Sequence, residues 1–161
     1  MSDTLDTLEN ITYDELNEGD SATFTRTLTE DELVLFAAVS GDVNPVHLDS
    51  EFAAESMFRE RIAHGMWSGS LISAALATVM PGPGTIYLEQ SLSFKRPVKL
   101  DDTLTVTLSV LSKEPKNRVS FGCDVRNQNG DQVVTGEAKV IAPTEKISLQ
   151  KPRLPKITIE N

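Results

Sequence analysis

His47 and His64 are the chain's only imidazoles, and each stands in a segment that could do chemistry. His47 falls in Ser40-Gly41-Asp42-Val43-Asn44-Pro45-Val46-His47-Leu48-Asp49. Glycine, asparagine and proline mark this stretch as a loop, and Pro45 holds Asn44 extended. Asp42 and His47 thus sit five residues apart on a rigid loop. That pair suits general acid–base work. An imidazole titrates near neutrality, and a carboxylate can orient it or share a water with it. A purely structural use competes: Asp42 caps a helix or turn, and His47 is an ordinary loop residue.

His64 opens an apolar segment, Ile62-Ala63-His64-Gly65-Met66. Backbone N–H groups at a helix start lack partners and receive oxyanions or phosphates. Gly65 would let a ligand carbonyl approach that backbone closely. Equally, His64 could cap the helix and Gly65 permit tight packing. Ser68, Ser70 and Ser73 follow; a helical serine usually bonds its own i−4 carbonyl. Asp42, His47, Asp49 and His64 could in principle bind iron or zinc. Neither histidine has an HxH or HxxxH spacing, so no metal is expected. Gly82-Pro83-Gly84 is a turn without a following Lys-Ser/Thr, not a phosphate-cradling loop. Cys123 shares an alternating pattern with Val119, Phe121 and Val125, which reads as core. No Gly-x-Ser-x-Gly elbow and no dinucleotide fingerprint occurs, so no organic cofactor is expected.

The elements that must position these residues fit one domain over 1–161, given the 161-residue length. Fifteen Lys+Arg against 24 Asp+Glu give a net charge of -9. A nucleic-acid binder has the opposite balance, and anionic membranes are disfavoured too. A single cysteine excludes an internal disulfide. Asp3, Asp6 and Glu9 give the first residues the wrong sign for a targeting leader, so the expected compartment is the cytoplasm. Residues 1–12 read as a loose acidic lead-in, and 143–161, with three prolines, as an extended tail.

Ala22, Phe24, Arg26 and Leu28 alternate as a strand. Thr29-Glu30-Asp31-Glu32 then fits a capping box ahead of a helix carrying Leu33, Phe36 and Ala37. Ser50 to Glu55 reads as a short helix. From Gly65 to Leu88 no residue is charged, so His64 to Met80 predicts a helix buried all round. Four strand-like runs follow: Ile86 to Phe94, Thr103 to Val110, Val119 to Val125, and Val134 to Val140. Three hairpin-like connections are expected between them, Asn129-Gly130 among the signals. The class is α+β: an antiparallel sheet wrapped around a long central helix, the hot-dog arrangement. Such two-layer packing leaves a sheet edge or face uncovered, which predicts a homodimer or higher oligomer.

Phe36 to Asp49 resembles the hydratase motif of the MaoC-like (R)-specific enoyl-CoA hydratases. Arg61-Ile62-Ala63-His64-Gly65-Met66, Pro81 to Leu88, and Phe94-Lys95-Arg96-Pro97-Val98 resemble the same family in the same order, from about Tyr13 to Ala142. The resemblance implies syn hydration of a trans-2-enoyl-CoA to an (R)-3-hydroxyacyl-CoA, on short to medium chains. The closest likeness is to short bacterial hydratases that feed polyhydroxyalkanoate synthesis from β-oxidation. It implies catalytic roles for Asp42 and His47, a thioester-binding N–H at Gly65, support from Asn44 and Ser73, and a chain-length gate at Leu76. No cofactor is implied. An acidic protein that binds coenzyme A needs local cations, for which Lys95, Arg96 and Lys99 are the candidates, with Lys116 and Arg118 next. The competing activities are an acyl-carrier-protein dehydratase and a hot-dog thioesterase. A thioesterase would need a carboxylate on the central helix, and that segment has none.

Overall fold

A computed structural model describes residues 6–160. The elements run β1 (Thr7–Glu9), β2 (Ser21–Thr27), α1 (Glu30–Ser40), α2 (Pro45–Leu48), α3 (Ser50–Glu55) and α4 (Gly65–Thr78). Then come β3 (Ile86–Gln90), β4 (Ser93–Phe94), β5 (Thr103–Glu114), β6 (Arg118–Arg126), β7 (Gln132–Ile141) and β8 (Ser148–Gln150). Alternating apolar residues make β5 and β6 long and regular. Leu104, Val106, Leu108 and Val110 face one way and are buried, as are Val119, Phe121, Cys123 and Val125. The opposite face is polar; Thr25 bonds Thr105 at 3.2 Å and Thr27 bonds Thr103 at 2.8 Å. Each fully buried side chain, Phe121 for example, contributes roughly 1.5–3 kcal/mol of transfer energy.

The main sheet is antiparallel in the order β2-β5-β6-β7-β3, with β4 also on β7. It curves around α4, and the core lies between them. This is the hot-dog fold. Two of the expected hairpins form, β5–β6 and β6–β7. The third does not: β3 pairs β7, and the chain crosses the sheet before β5 begins. The run Ile86 to Phe94 is also two strands, not one. Gln90 pairs Ala138 and Ser93 pairs Thr135, so the chain kinks between them. Gly136 makes the kink possible: a Cβ there would stand 1.9 Å from the Ser91 carbonyl oxygen.

The ends differ from the sequence reading. Residues 1–5 and 161 lie outside the described residues, but Thr7–Glu9 is a strand paired with Ser148–Gln150. Asn10 is fully buried beside it. Its side-chain amide donates to the carbonyls of Pro83 and Glu145, and its oxygen accepts from Ile147 N–H. Between Ala142 and Ile147, and again from Lys151 to Glu160, the chain has no helix or strand.

Helix α4 departs from the expectation in one respect. Trp67, Leu71, Ile72, Ala75 and Leu76 are buried against the sheet. Gly65, Met66, Ser70 and Ala77 are exposed, because the sheet covers only one side of the cylinder. Among the described residues no helix is long and apolar enough to cross a membrane.

Candidate active site

Helix α1 ends where the site begins. Thr29 caps its start, its hydroxyl accepting from Glu32 N–H at 3.2 Å. The expected reciprocal bond is not made, because the Glu32 carboxylate turns to Arg26. Gly41 stops the helix with φ 78°, a left-handed conformation that suits glycine. The chain then turns sharply at Asp42. Asp42 Oδ1 accepts from Asn44 N–H at 3.1 Å, and Asn44 Oδ1 accepts from Val46 N–H at 3.2 Å. With Asn44 as cap and Pro45 at its first position, residues 45–48 wind into the short helix α2. The expected loop is therefore half helical, and it is this turn that drives His47 inward.

His47 is buried and Asp42 is half exposed. His47 Nδ1 lies 2.8 Å from the Ile62 carbonyl oxygen. A carbonyl only accepts, so Nδ1 carries the hydrogen and Nε2 presents a lone pair. That Nε2 is 3.8 Å from Asp42 Oδ2. The separation is too wide for a direct hydrogen bond and fits a bridging water. With ordinary bonds of about 2.8 Å to each atom, the angle at the water oxygen is roughly 85°.

Two further side chains complete the frame. Arg61 Nε donates to the His47 carbonyl at 2.7 Å, while its terminal nitrogens grip Glu30 bidentately at 3.0 and 2.9 Å. Arg61 thus ties α2 to the start of α1. Both partners are remote in the chain, so no local spacing assigns Arg61 this role. His64 is also buried; its ring stacks on His47 at 3.7 Å between centroids and 26° between planes. His64 Nε2 donates to the Asp42 carbonyl oxygen at 2.9 Å. It makes no side-chain cap bond, so capping is not its use.

Asp42, His47 and His64 each offer a ligand atom, all within 4.8 Å of one another. The stack argues against a resident metal. Rings 3.7 Å apart and only 26° from parallel send their lone pairs side by side, whereas a bound ion must lie in the plane of both.

Because His64 stacks on His47, the start of α4 is brought beside this pair. The Gly65 N–H, first in the helix, has no preceding turn to bond. The Trp67 N–H is already taken by the His64 carbonyl. Gly65 faces a cleft of about 320 Å³, walled also by Phe58, Ser68, Phe94, Lys95 and Arg96. The Phe94 ring covers the glycine: a Cβ on Gly65 would lie 3.0 Å from Phe94 Cε1. Lys95 and Arg96 are held at the cleft by backbone bonds to Val133. Lys99 is not in its walls. It pairs with Glu60, whose carboxylate holds the ammonium above its ordinary pKa.

Ser73 is half-buried in a second, mainly apolar groove of about 400 Å³ on the open side of α4, with Phe36, Met66, Tyr87 and Leu92. Leu76, expected to gate an acyl path, is instead 1% exposed in the core. It continues the stripe of Trp67, Leu71, Ile72 and Ala75 that faces the sheet, and it walls neither cleft. Cys123 is buried on β6, and burial pushes its thiol up to about 11, as suits packing and not nucleophilic attack.

Residues 15–131 match the model of the MaoC-like domain. The chain is 43% identical over 134 residues to the (R)-specific enoyl-CoA hydratase of Rhodospirillum rubrum, covering 81% of this chain and 91% of that one. An unliganded R-hydratase structure from Pseudomonas aeruginosa is similar at 59% identity and a TM-score of 0.93, covering 96% of this chain and 99% of that one. The (R)-hydratase of Aeromonas caviae, described as involved in polyhydroxyalkanoate biosynthesis, is 42% identical with a TM-score of 0.77, covering 80% and 98%.

Proposed function

This chain belongs to the MaoC-like domain family, and from that premise we propose that it is an (R)-specific enoyl-CoA hydratase, a hydro-lyase acting reversibly on trans-2-enoyl-CoA. The observation that carries the reading is the 3.8 Å opening between His47 Nε2 and Asp42 Oδ2, next to the start of α4. Two acceptors hold both O–H bonds of one water and aim its oxygen lone pair at C3. The acceptor that takes the proton returns it to C2 on the same face, which makes the addition syn and balances the atoms without a further donor. Charge that develops on the thioester oxygen is met by the Gly65 N–H and the positive end of α4. No Lewis acid is called on in these steps.

The acyl chain then lies along the groove of Phe36, Met66, Ser73, Tyr87 and Leu92, whose modest size supports short to medium chains. Lys95 and Arg96 offer the coenzyme A phosphates a cationic mouth on an otherwise acidic protein. Asn44 supports the site by fixing the turn that carries Asp42. The product suits polyhydroxyalkanoate synthesis, and the cytoplasm is the compartment in which that substrate supply would operate. A second copy is proposed to cover the open stripe of α4 and the exposed edge strand β3, where Ile86, Tyr87 and Leu88 are accessible.

The test is hydration of crotonyl-CoA, followed by loss of the enoyl-thioester absorbance, with product configuration read by an (R)-specific dehydrogenase. Asp42→Asn and His47→Gln should each lower turnover by a factor on the order of 100 to 10,000. A wild-type protein that leaves crotonyl-CoA unchanged defeats the reading. Light scattering should give at least twice the 17.6 kDa chain mass.

A further inference from the structure

We propose that His64 is a positioning residue of this reaction. Its Nε2–H fixes the Asp42 backbone and its ring backs His47, so that Asp42 Oδ2 and His47 Nε2 stay one water apart. The inference rests on the hydratase reading and extends it to a residue that touches no reacting atom.

His64 is 3% exposed. A polar ring that deeply buried is costly unless its nitrogens are used. Its Nδ1 has no partner among the described residues, which suits a lone pair and not an N–H. Only Nε2 is used, in the 2.9 Å bond to the Asp42 carbonyl. A phenylalanine would fill the same space between Phe36 and His47 and leave no orphaned nitrogen. Packing alone therefore does not explain an imidazole here. Capping does not either, since the side chain caps nothing.

The Asp42 bond is what the local structure lacks without it. Asp42 follows the left-handed Gly41, and its carboxylate is 51% exposed. Its other hydrogen bonds among the described residues stay within the turn: its N–H to Ser40 Oγ at 3.2 Å, and Oδ1 from Asn44 N–H at 3.1 Å. His64 is the one hydrogen-bond tie, among the described residues, from Asp42 to a distant part of the chain. The same ring lies flat against His47, whose Nδ1 is held by Ile62. One side chain thus sets both banks of the 3.8 Å opening. Displacement of a reacting group by about 1 Å can cost on the order of 100-fold in rate.

Two substitutions separate the donor from the ring. His64→Phe keeps the stack and removes the N–H. His64→Gln loses the ring and keeps an N–H at a similar reach. On crotonyl-CoA, His64→Phe should lower kcat on the order of 10- to 100-fold with KM within about twofold, the signature of a loss felt in the transition state. His64→Gln, which keeps the tie to Asp42 but gives up the backing of His47, should fall less, to between the His64→Phe rate and wild type. Both should melt near the wild-type temperature. A His64→Phe enzyme with wild-type kcat overturns the proposal. So does an equal fall in both variants, or a rise in KM that accounts for the loss. If His64→Phe does not fold, His64→Met carries the same comparison. If neither folds, the residue serves the fold and the proposal is wrong. A wild-type protein inactive on crotonyl-CoA overturns the hydratase reading and this one with it, whereas an active wild type with an unaffected His64→Phe overturns this one alone.

Discussion

Gly65→Ala should separate stability from activity. Gly65 is the first residue of α4, and its backbone is one that alanine adopts without strain. A Gly→Ala change at such a site stabilises by about 0.4–1 kcal/mol, through the unfolded chain. Against this, the new Cβ meets Phe94 Cε1 at 3.0 Å and Cδ1 at 3.2 Å. That ring is 52% exposed, so it can swing outward by a few tenths of an ångström. An off-rotamer shift of this kind costs about 0.5–1.5 kcal/mol. The two effects nearly cancel, and the melting temperature should move by no more than about 2–4 °C. Activity should not be spared. In the proposed reaction the methyl group would stand beside the N–H that receives the thioester oxygen. Outright loss of such a donor costs roughly 100- to 1,000-fold. Here the donor stays but is crowded, so a fall on the order of 10- to 100-fold in kcat/KM for crotonyl-CoA is expected. Calorimetry and steady-state kinetics on the same preparation decide. A folded Gly65→Ala enzyme of wild-type rate would refute close approach at Gly65. A melting temperature lowered by more than about 5 °C would show that Phe94 cannot yield.

Three other outcomes follow from the geometry. Asn10→Ala removes three bonds and strands the Pro83 and Glu145 carbonyls and the Ile147 N–H; denaturant unfolding should show a loss of about 2–4 kcal/mol with turnover of the folded enzyme unchanged. Lys95→Ala with Arg96→Ala should raise KM for crotonyl-CoA with little change in kcat, and the difference from wild type should shrink as salt is added. The Cys123 thiol, raised by burial to about 11 from 9.0, favours the folded state below the unfolded pKa and loses that contribution as pH climbs through the folded one. Wild type should therefore lose more stability than Cys123→Ala between about pH 9 and 11, measured by urea midpoints at each pH.

What the sequence revealed followed the range of the signals. Strict alternation showed β5 and β6, because one face of each is buried throughout. The uncharged run showed α4, though not that one side of it stays open. The Ile86 to Phe94 run concealed a kink whose cause, Gly136, lies on another strand. β1 and β8 are three residues each, too short to carry a pattern. At the site, Asp42, His47 and Gly65 stood out by type and context. Arg61 and His64 act through backbone carbonyls of distant residues, and no spacing encodes that. Leu76 entered by resemblance and not by helical position. It lies on the helix stripe of Leu71, Ile72 and Ala75, while Ser73 belongs with Met66 and Ser70, and the helical period alone separates the two sets.

The pairing of β2 with β5 has a kinetic consequence. Thr27 lies opposite Thr103, so everything from Leu28 to Asp102, both histidines and Asp42 included, is threaded between two adjacent strands. β5 and β6 turn back within a few residues, from Glu114 to Arg118, and β6 and β7 are equally local. Closing the long excursion costs more chain entropy than closing either hairpin, and contacts so remote in sequence form slowly. The three-stranded meander β5-β6-β7 is then the natural nucleus, and the excursion that carries His47 and His64 is closed only when β2 docks on β5. On refolding from urea, the far-ultraviolet signal should return ahead of hydratase activity, which makes enzyme turnover a clock for the last step of folding.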